Sequence, residues 1–170
     1  LRTAIRALHA SCRERGCRLA IALSVHGMDG STGRRQPPII MGHEFSARVA
    51  DLGPTGGSGR AEGLEIGRLV AVEPGISCGA CEPCSHGHPN LCPNVRFCGT
   101  PPVDGVFAEY TVMPAGNCTP LPEGMGPVLG ALLEPLGIAI HTVDLAHLKP
   151  GQTVAVLGAG PIGLLTAAVA

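Results

Sequence analysis

Aromatic side chains are almost missing from this chain, which has no Trp, a single Tyr (Tyr110) and three Phe (Phe45, Phe97, Phe107) in 170 residues. Surfaces that stack nucleobases are built from such rings, so recognition of single-stranded nucleic acid is disfavoured. An excess of one charge is missing too. Lys and Arg number 12 against 13 Asp and Glu, which leaves no net field to recruit a polyanion or an acidic membrane. No apolar run reaches the ~18 residues of a membrane span, and no signal-peptide pattern opens the chain. The expected compartment is therefore a reducing cytoplasm. An initiator Met is absent and residues 164–170 read as the interior of a helix, so the expectation is a piece of a longer protein.

Glycine and proline, by contrast, are plentiful at 25 and 16, and favour many turns with short strands over long helices. The apolar fraction of 45% supplies a core. Half of the eight cysteines fall in one stretch, Cys78-Gly-Ala-Cys81-Glu-Pro-Cys84 followed by Cys92. Thiols so spaced make a cage that one tetrahedral zinc closes, and Gly79, Pro83, Gly87 and Pro89 let the loop fold back without help from a helix or strand. Disulfides would require an oxidising compartment, which nothing in the sequence signals. A closed four-thiolate site leaves no position for substrate, so this metal staples a lobe and the chemistry lies elsewhere. Cys98 and Cys118 read as buried free thiols.

Residues 1–24 are a divergent segment, rich in Arg, with Ile5, Leu8 and Cys12 at helical spacing. The stretch 39–50 predicts a strand entry, a tight turn at Gly42 and an alternating strand, with His43 and Glu44 at its start. A His beside a Glu is either a satisfied surface pair or the seed of a metal site. Leu69–Val72 predicts a strand leading into the lobe, and the alternation over 105–112 predicts another. From Val128 to about Ala146 the apolar spacing turns helical, with a break or kink expected at Glu134-Pro135. Glu134 then either faces a cleft or caps the second segment. Thr153–Leu157 reads as a buried parallel strand running into Gly158-Ala-Gly160-Pro161-Ile162-Gly163 and a helix start, the context a dinucleotide fingerprint requires. Gly158 serves the turn, Gly160 a close approach to pyrophosphate, and Gly163 the packing of helix on strand. The acidic residue that would choose between nicotinamide cofactors is expected ~20 positions on, past Ala170.

In order and spacing these motifs resemble the zinc-dependent medium-chain alcohol dehydrogenases, and within them the sorbitol (L-iditol) and xylitol dehydrogenases. The resemblance runs from about Val25 to Ala170. It rests on Gly42-His43-Glu44, Val72-Glu-Pro-Gly75, the four-Cys lobe, Arg96–Pro102, Leu133-Glu-Pro-Leu136 with His141, and Gly158–Gly163. It implies a mainly β, GroES-like partly open barrel over 25–150, carrying a zinc lobe at 74–102, and the first βα unit of a truncated Rossmann domain over 151–170. It implies a second, catalytic zinc with His43 as ligand, Glu44 as ligand or neighbour, and Glu134 as a further ligand or exchange partner. His26 falls where the family's proton-relay histidine stands. The implied reaction is hydride transfer between a secondary alcohol, such as a polyol, and NAD, with NADP not excluded, in a homo-oligomer (dimer or tetramer).

One departure is plain. The family places a Cys ligand and a hydroxyl residue ahead of the relay histidine, and Ile21 and Leu23 occupy those positions. Cys17 lies four residues from the first. The chain is accordingly expected to be inactive alone. Threonine and butanediol dehydrogenases are the alternatives inside the family; a non-enzymatic zinc-stapled interaction domain or degraded gene product is the alternative outside it. A nucleic-acid-binding zinc ribbon is disfavoured by the lack of basic and aromatic surface.

Overall fold

A computed structural model describes residues 38–53 and 63–170. The expected helix near Cys12, together with Cys17, Ile21, Leu23 and His26, lies outside the described residues. Those that are described fall into two units that divide between Glu134 and Pro135.

The first unit is organised by a three-stranded antiparallel sheet of β1 (Ser46–Arg48), β2 (Leu69–Val72) and β5 (Cys118–Pro120), in the order β1-β2-β5. β2 is central, and its β-branched residues suit a position paired on both sides. Ala47 faces Val70 in the first ladder and Val72 faces Cys118 in the second. Val70 is 2% exposed and Leu121, just past β5, 3%. The strand expected at 69–72 is therefore present, and it carries the core of this unit.

From the end of β2 the chain enters a lobe closed by a second small sheet, β3 (Gly75–Ile76) against β4 (Arg96–Phe97). Between them stand a one-turn helix, α1 (Glu82–Ser85), and a 3-10 turn, Pro89–Leu91. The lobe was expected to form without a helix; Pro83 in the first turn of α1, where its missing N–H costs nothing, makes the turn helical.

Two helices follow β5. α2 (Pro127–Ala131) and α3 (Leu133–Ala146) are separated at Leu132. The break thus falls two residues ahead of Glu134. Pro135 sits in the opening turn of α3, where no intrahelical partner exists for an N–H, so it starts a helix instead of kinking one. α2 lies close on the sheet at Gly130, where a Cβ would stand 2.5 Å from Leu121 Cδ1 and 2.9 Å from Ser46 Cβ. Ser46 Oγ also donates to the Pro127 carbonyl at 2.8 Å.

Two expected strands are not formed. Among the described residues, the backbone donors of 105–112 are Gly105, Val106 and Phe107, to the carbonyls of Ile40, Gly42 and Met41. Beyond them Tyr110 is 78% and Val112 94% exposed. Alternation marks a strand only where a neighbour supplies the ladder, and the pairing stops at Phe107. Thr153–Leu157, in the second unit, likewise has no ladder among the described residues and is exposed, for a parallel strand exists only between neighbours that complete its sheet. The helix expected after it does form, as α4 (Pro161–Val169).

Candidate metal and nucleotide sites

The short β3–β4 ladder pinches the segment 77–95 into a loop, which brings Cys78 and Cys92 together; the Cys78 N–H points at Cys92 Sγ, 3.4 Å away. Cys81 precedes α1 and accepts the Ser85 N–H on its carbonyl at 2.9 Å, while Cys84 is carried by the turn itself. Gly79 and Gly87 have φ of 71° and 81°, values that cost a Cβ-bearing residue energy. Asn117 secures the root of the lobe, since its Nδ2 donates to the carbonyls of Glu73 at 2.9 Å and Gly75 at 3.0 Å. Nothing in the sequence singled out Asn117, whose partners are 44 and 42 positions away.

The four sulfurs lie within 4.8 Å of one another. Cys81 Sγ is 3.3 Å from Cys84 Sγ and 3.8 Å from Cys92 Sγ, against the ~3.8 Å edge of a tetrahedron with ~2.3 Å zinc–sulfur bonds. Electrostatics divide them. Backbone N–H groups of Ala80 and Cys81, aided by the Cys81 and Cys92 thiols, lower Cys78 to about 6. At Cys81 the Cys84 N–H also favours the thiolate, but desolvation and the three neighbouring thiols prevail and push it up to about 12. A metal-free lobe therefore holds one ready thiolate and one thiol whose proton an entering cation must displace. The donor set and its spacing fit a structural zinc. Cys98 is outside the quartet, buried, with its sulfur 3.8 Å from Met113 Sδ, and burial pushes its thiol up. Cys118 is half-buried and also pushed up by burial.

A second cluster gathers His43, Glu44 and Glu134, whose donor atoms also fall within 4.8 Å. Gly42 (φ 96°) turns the chain into His43. The turn is clasped from behind by Gly105, whose N–H donates to Ile40 at 2.7 Å and where a Cβ would overlap the Met41 carbonyl. The His43 ring meets Phe97 edge-on, 5.1 Å between centroids, which ties it to β4. Glu134 arrives from the first turn of α3. Burial, then the Glu44 charge, then that of Glu73, raises its carboxyl to about 7. Carboxylates crowded in this way favour a proton or a cation between them. One imidazole and two carboxylates suit a divalent ion such as zinc. Glu73, part of the Val72-Glu-Pro-Gly75 stretch, is the member of this electrostatic group that was assigned no role from the sequence.

In the second unit Gly158 has φ of 111° and Gly160 is the N-cap of α4, with Pro161 and Ile162 opening the helix. A Cβ on Gly163 would overlap the Gly158 carbonyl, so only glycine lets the helix come this close to the turn. Nothing stands within 4 Å of a Cβ built on Gly160, which leaves the helix entrance open.

Comparison with known proteins agrees with this geometry. Residues 19–123 match the family model described as the alcohol dehydrogenase GroES-like domain. D-xylulose reductase A of Aspergillus niger is 47% identical over 133 residues, covering 78% of this chain and 36% of that protein. Galactitol-1-phosphate dehydrogenase from Escherichia coli superposes with a TM-score of 0.68 at 30% identity, covering 87% of this chain and 46% of that one. A short chain alcohol dehydrogenase from Escherichia coli CFT073, complexed with NADH, gives 0.63 at 39% identity over 74% of this chain and 36% of that one. The chain spans little more than a third of the length of its D-xylulose reductase relatives.

Proposed function

The chain belongs to the alcohol dehydrogenase GroES-like domain family and has its fold, and from that premise we propose that it is the zinc-binding part of a polyol dehydrogenase. The intact enzyme would move hydride between a secondary alcohol and NAD or NADP. The observation that carries this reading is the pair of donor clusters on one unit, four thiols and a His43–Glu44–Glu134 set.

Cys78, Cys81, Cys84 and Cys92 hold a structural zinc. His43, Glu44 and Glu134 hold a catalytic one, which when bound supplies Lewis acidity to the alcohol oxygen. Glu134 serves there as a further ligand or as an exchange partner, its carboxylate lying within reach of the other two donors. His26 relays the alcohol proton outward. Gly158, Gly160 and Gly163 with the N-terminus of α4, residues Pro161 and Ile162 included, receive the pyrophosphate of the dinucleotide. The D-xylulose reductase relatives favour a sugar alcohol such as xylitol or sorbitol as substrate. Residues 25–150 form the catalytic domain and 151–170 begin the nucleotide domain of a cytoplasmic homo-oligomer, a dimer or tetramer.

Ile21 gives the second cluster no thiolate, so the chain by itself should retain about one zinc, in the lobe, and turn over no polyol. The test is a chimera in which this chain replaces the matching third of the Aspergillus niger reductase. Assayed on a panel of polyols with NAD and NADP, the chimera carrying Ile21→Cys is expected to exceed the Ile21 form by at least the roughly 10- to 100-fold that loss of an outer-shell partner of a metal costs. Two tightly held zincs in the unaltered chain, or inactivity of both chimeras despite full zinc in the lobe, would refute the assignment.

A further inference from the structure

The end of the sheet away from the lobe carries two guanidinium groups with no acidic partner. In the β1–β2 register Arg48 faces Leu69, so Arg68, one residue earlier, comes to the same end of the sheet. Arg48 Nη1 donates to the Gly67 carbonyl at 3.1 Å, and Arg68 Nη2 to the Leu121 carbonyl at 2.8 Å. Each head is thereby aimed by one backbone oxygen while its other donors stay uncommitted. Among the described residues no carboxylate lies within 4.0 Å of either, and Arg68 Nε is buried without any partner. That nitrogen is out of reach of solvent, so a ligand in front of the Arg68 head would meet its free Nη hydrogens and not Nε. Both arginines line one open concavity of about 260 Å³, together with Leu121, Met125 and a single acid, Glu123. None of these residues belongs to the two donor clusters described above.

We propose that this concavity is an anion subsite for a phosphate group, either free phosphate or a small phosphate monoester. Two planar forks at one opening match an oxyanion bidentately. A tetrahedral phosphate has oxygens for both forks, whereas a single carboxylate satisfies one. The volume exceeds what a bare phosphate fills, which leaves room for the carbon skeleton of an ester. Glu123 opposes the anion, and its charge sets the affinity from the other side.

The experiment is phosphorus NMR titration and thermal unfolding of the chain with inorganic phosphate and with glycerol 3-phosphate, at ionic strength held constant with potassium chloride. Both ligands are expected to raise the unfolding temperature beyond chloride and to broaden the phosphorus line. Arg48→Gln, at an exposed position, should weaken binding about tenfold or more, as loss of a charge-assisted bond does, and Glu123→Gln should tighten it several-fold. Equal affinity for the two ligands assigns recognition to the phosphate alone; tighter binding of the ester assigns part of it to the rest of the concavity. A response no larger than that of chloride, acetate binding as tightly as phosphate, or an Arg48→Gln chain that binds like the parent would overturn the proposal.

Discussion

Replacing Cys92 by Ser should remove most of the zinc-dependent stability of the chain while leaving its metal-free fold in place. Cys92 is 4% exposed and touches both Cys78 and Cys81, so its sulfur sits well inside the quartet. Structural zinc in small thiolate sites binds with about 10–16 kcal/mol, so one of four thiolates accounts for roughly 2.5–4 kcal/mol. That corresponds to an affinity weaker by about 100- to 1,000-fold. With free zinc clamped by a chelator buffer at about 100 times the parent dissociation constant, the parent gains ~2.7 kcal/mol and a 100-fold weaker variant ~0.4. The difference of ~2.3 kcal/mol is worth about 5–9 °C in a chain of this size. The readout is the increment in unfolding temperature between chelated and zinc-clamped samples, which cancels any intrinsic cost of serine. Cys98→Ser is the control, since that thiol is buried in the same region but stands outside the quartet. If Cys92→Ser kept the parent's increment, or Cys98→Ser lost it equally, the tetrathiolate reading would be wrong.

Zinc uptake by the lobe should release protons, that of Cys81 among them, and its affinity should fall more steeply below pH 6, where Cys78 also takes up a proton; a stopped-flow indicator titration measures both, and a pH-independent affinity between 5 and 8 would contradict it. In the zinc-free chain Glu134 is raised from 4.5 to about 7, so the folded state binds the proton more tightly than the unfolded one. Its contribution is complete below about pH 4.5 and disappears as pH rises through 7. Glu134→Gln should therefore gain stability relative to the parent at pH 8 but not at pH 4.5, as read by urea unfolding. Gly105→Ala should cost about 1–3 kcal/mol or more, because the new methyl meets the Met41 backbone instead of a movable side chain, and should shift the His43 imidazole signals; unchanged stability would show the clasp to be slack. At Gly130, alanine gains up to ~1 kcal/mol in helix propensity but meets Leu121 and Ser46. Overpacking of ~1–3 kcal/mol is expected to win, and a stabilised Gly130→Ala would show that α2 is not held down on the sheet.

What could be read from the sequence was whatever depends on near neighbours. The thiol spacing forecast a gathered quartet, Leu69–Val72 its strand, and Pro161 with Gly158 and Gly160 a turn leading into a helix. Gly42-His43-Glu44 was visible as a motif, but whether it was a surface pair or part of a cluster depended on Glu134, 90 positions later, and became decidable only when Gly105 and Phe97 fixed the turn. The misreadings have two causes. Strands at 105–112 and 153–157 were inferred from side-chain pattern, and a strand is a property of two segments. The helix break was misplaced because Pro135 was judged as an interior proline, whereas a first-turn proline needs no N–H. Asn117 left no local trace at all, and Glu73 showed only inside a motif and without a role, since the importance of both comes from partners far along the chain.

The fork made by Asn117 has a further consequence for how the molecule is assembled. The bond from Asn117 to Glu73 closes a span of 44 residues, and all four clustered sulfurs lie inside that span. Gathering them on one ion would shorten the free chain between Glu73 and Asn117, and with it the entropy lost when those ends meet. A link from Cys78 to Cys92 takes 14 residues out of that span, worth roughly 0.3 kcal/mol by logarithmic scaling, so an ion caught early by the newly made loop would favour the docking of β5 onto β2 only slightly.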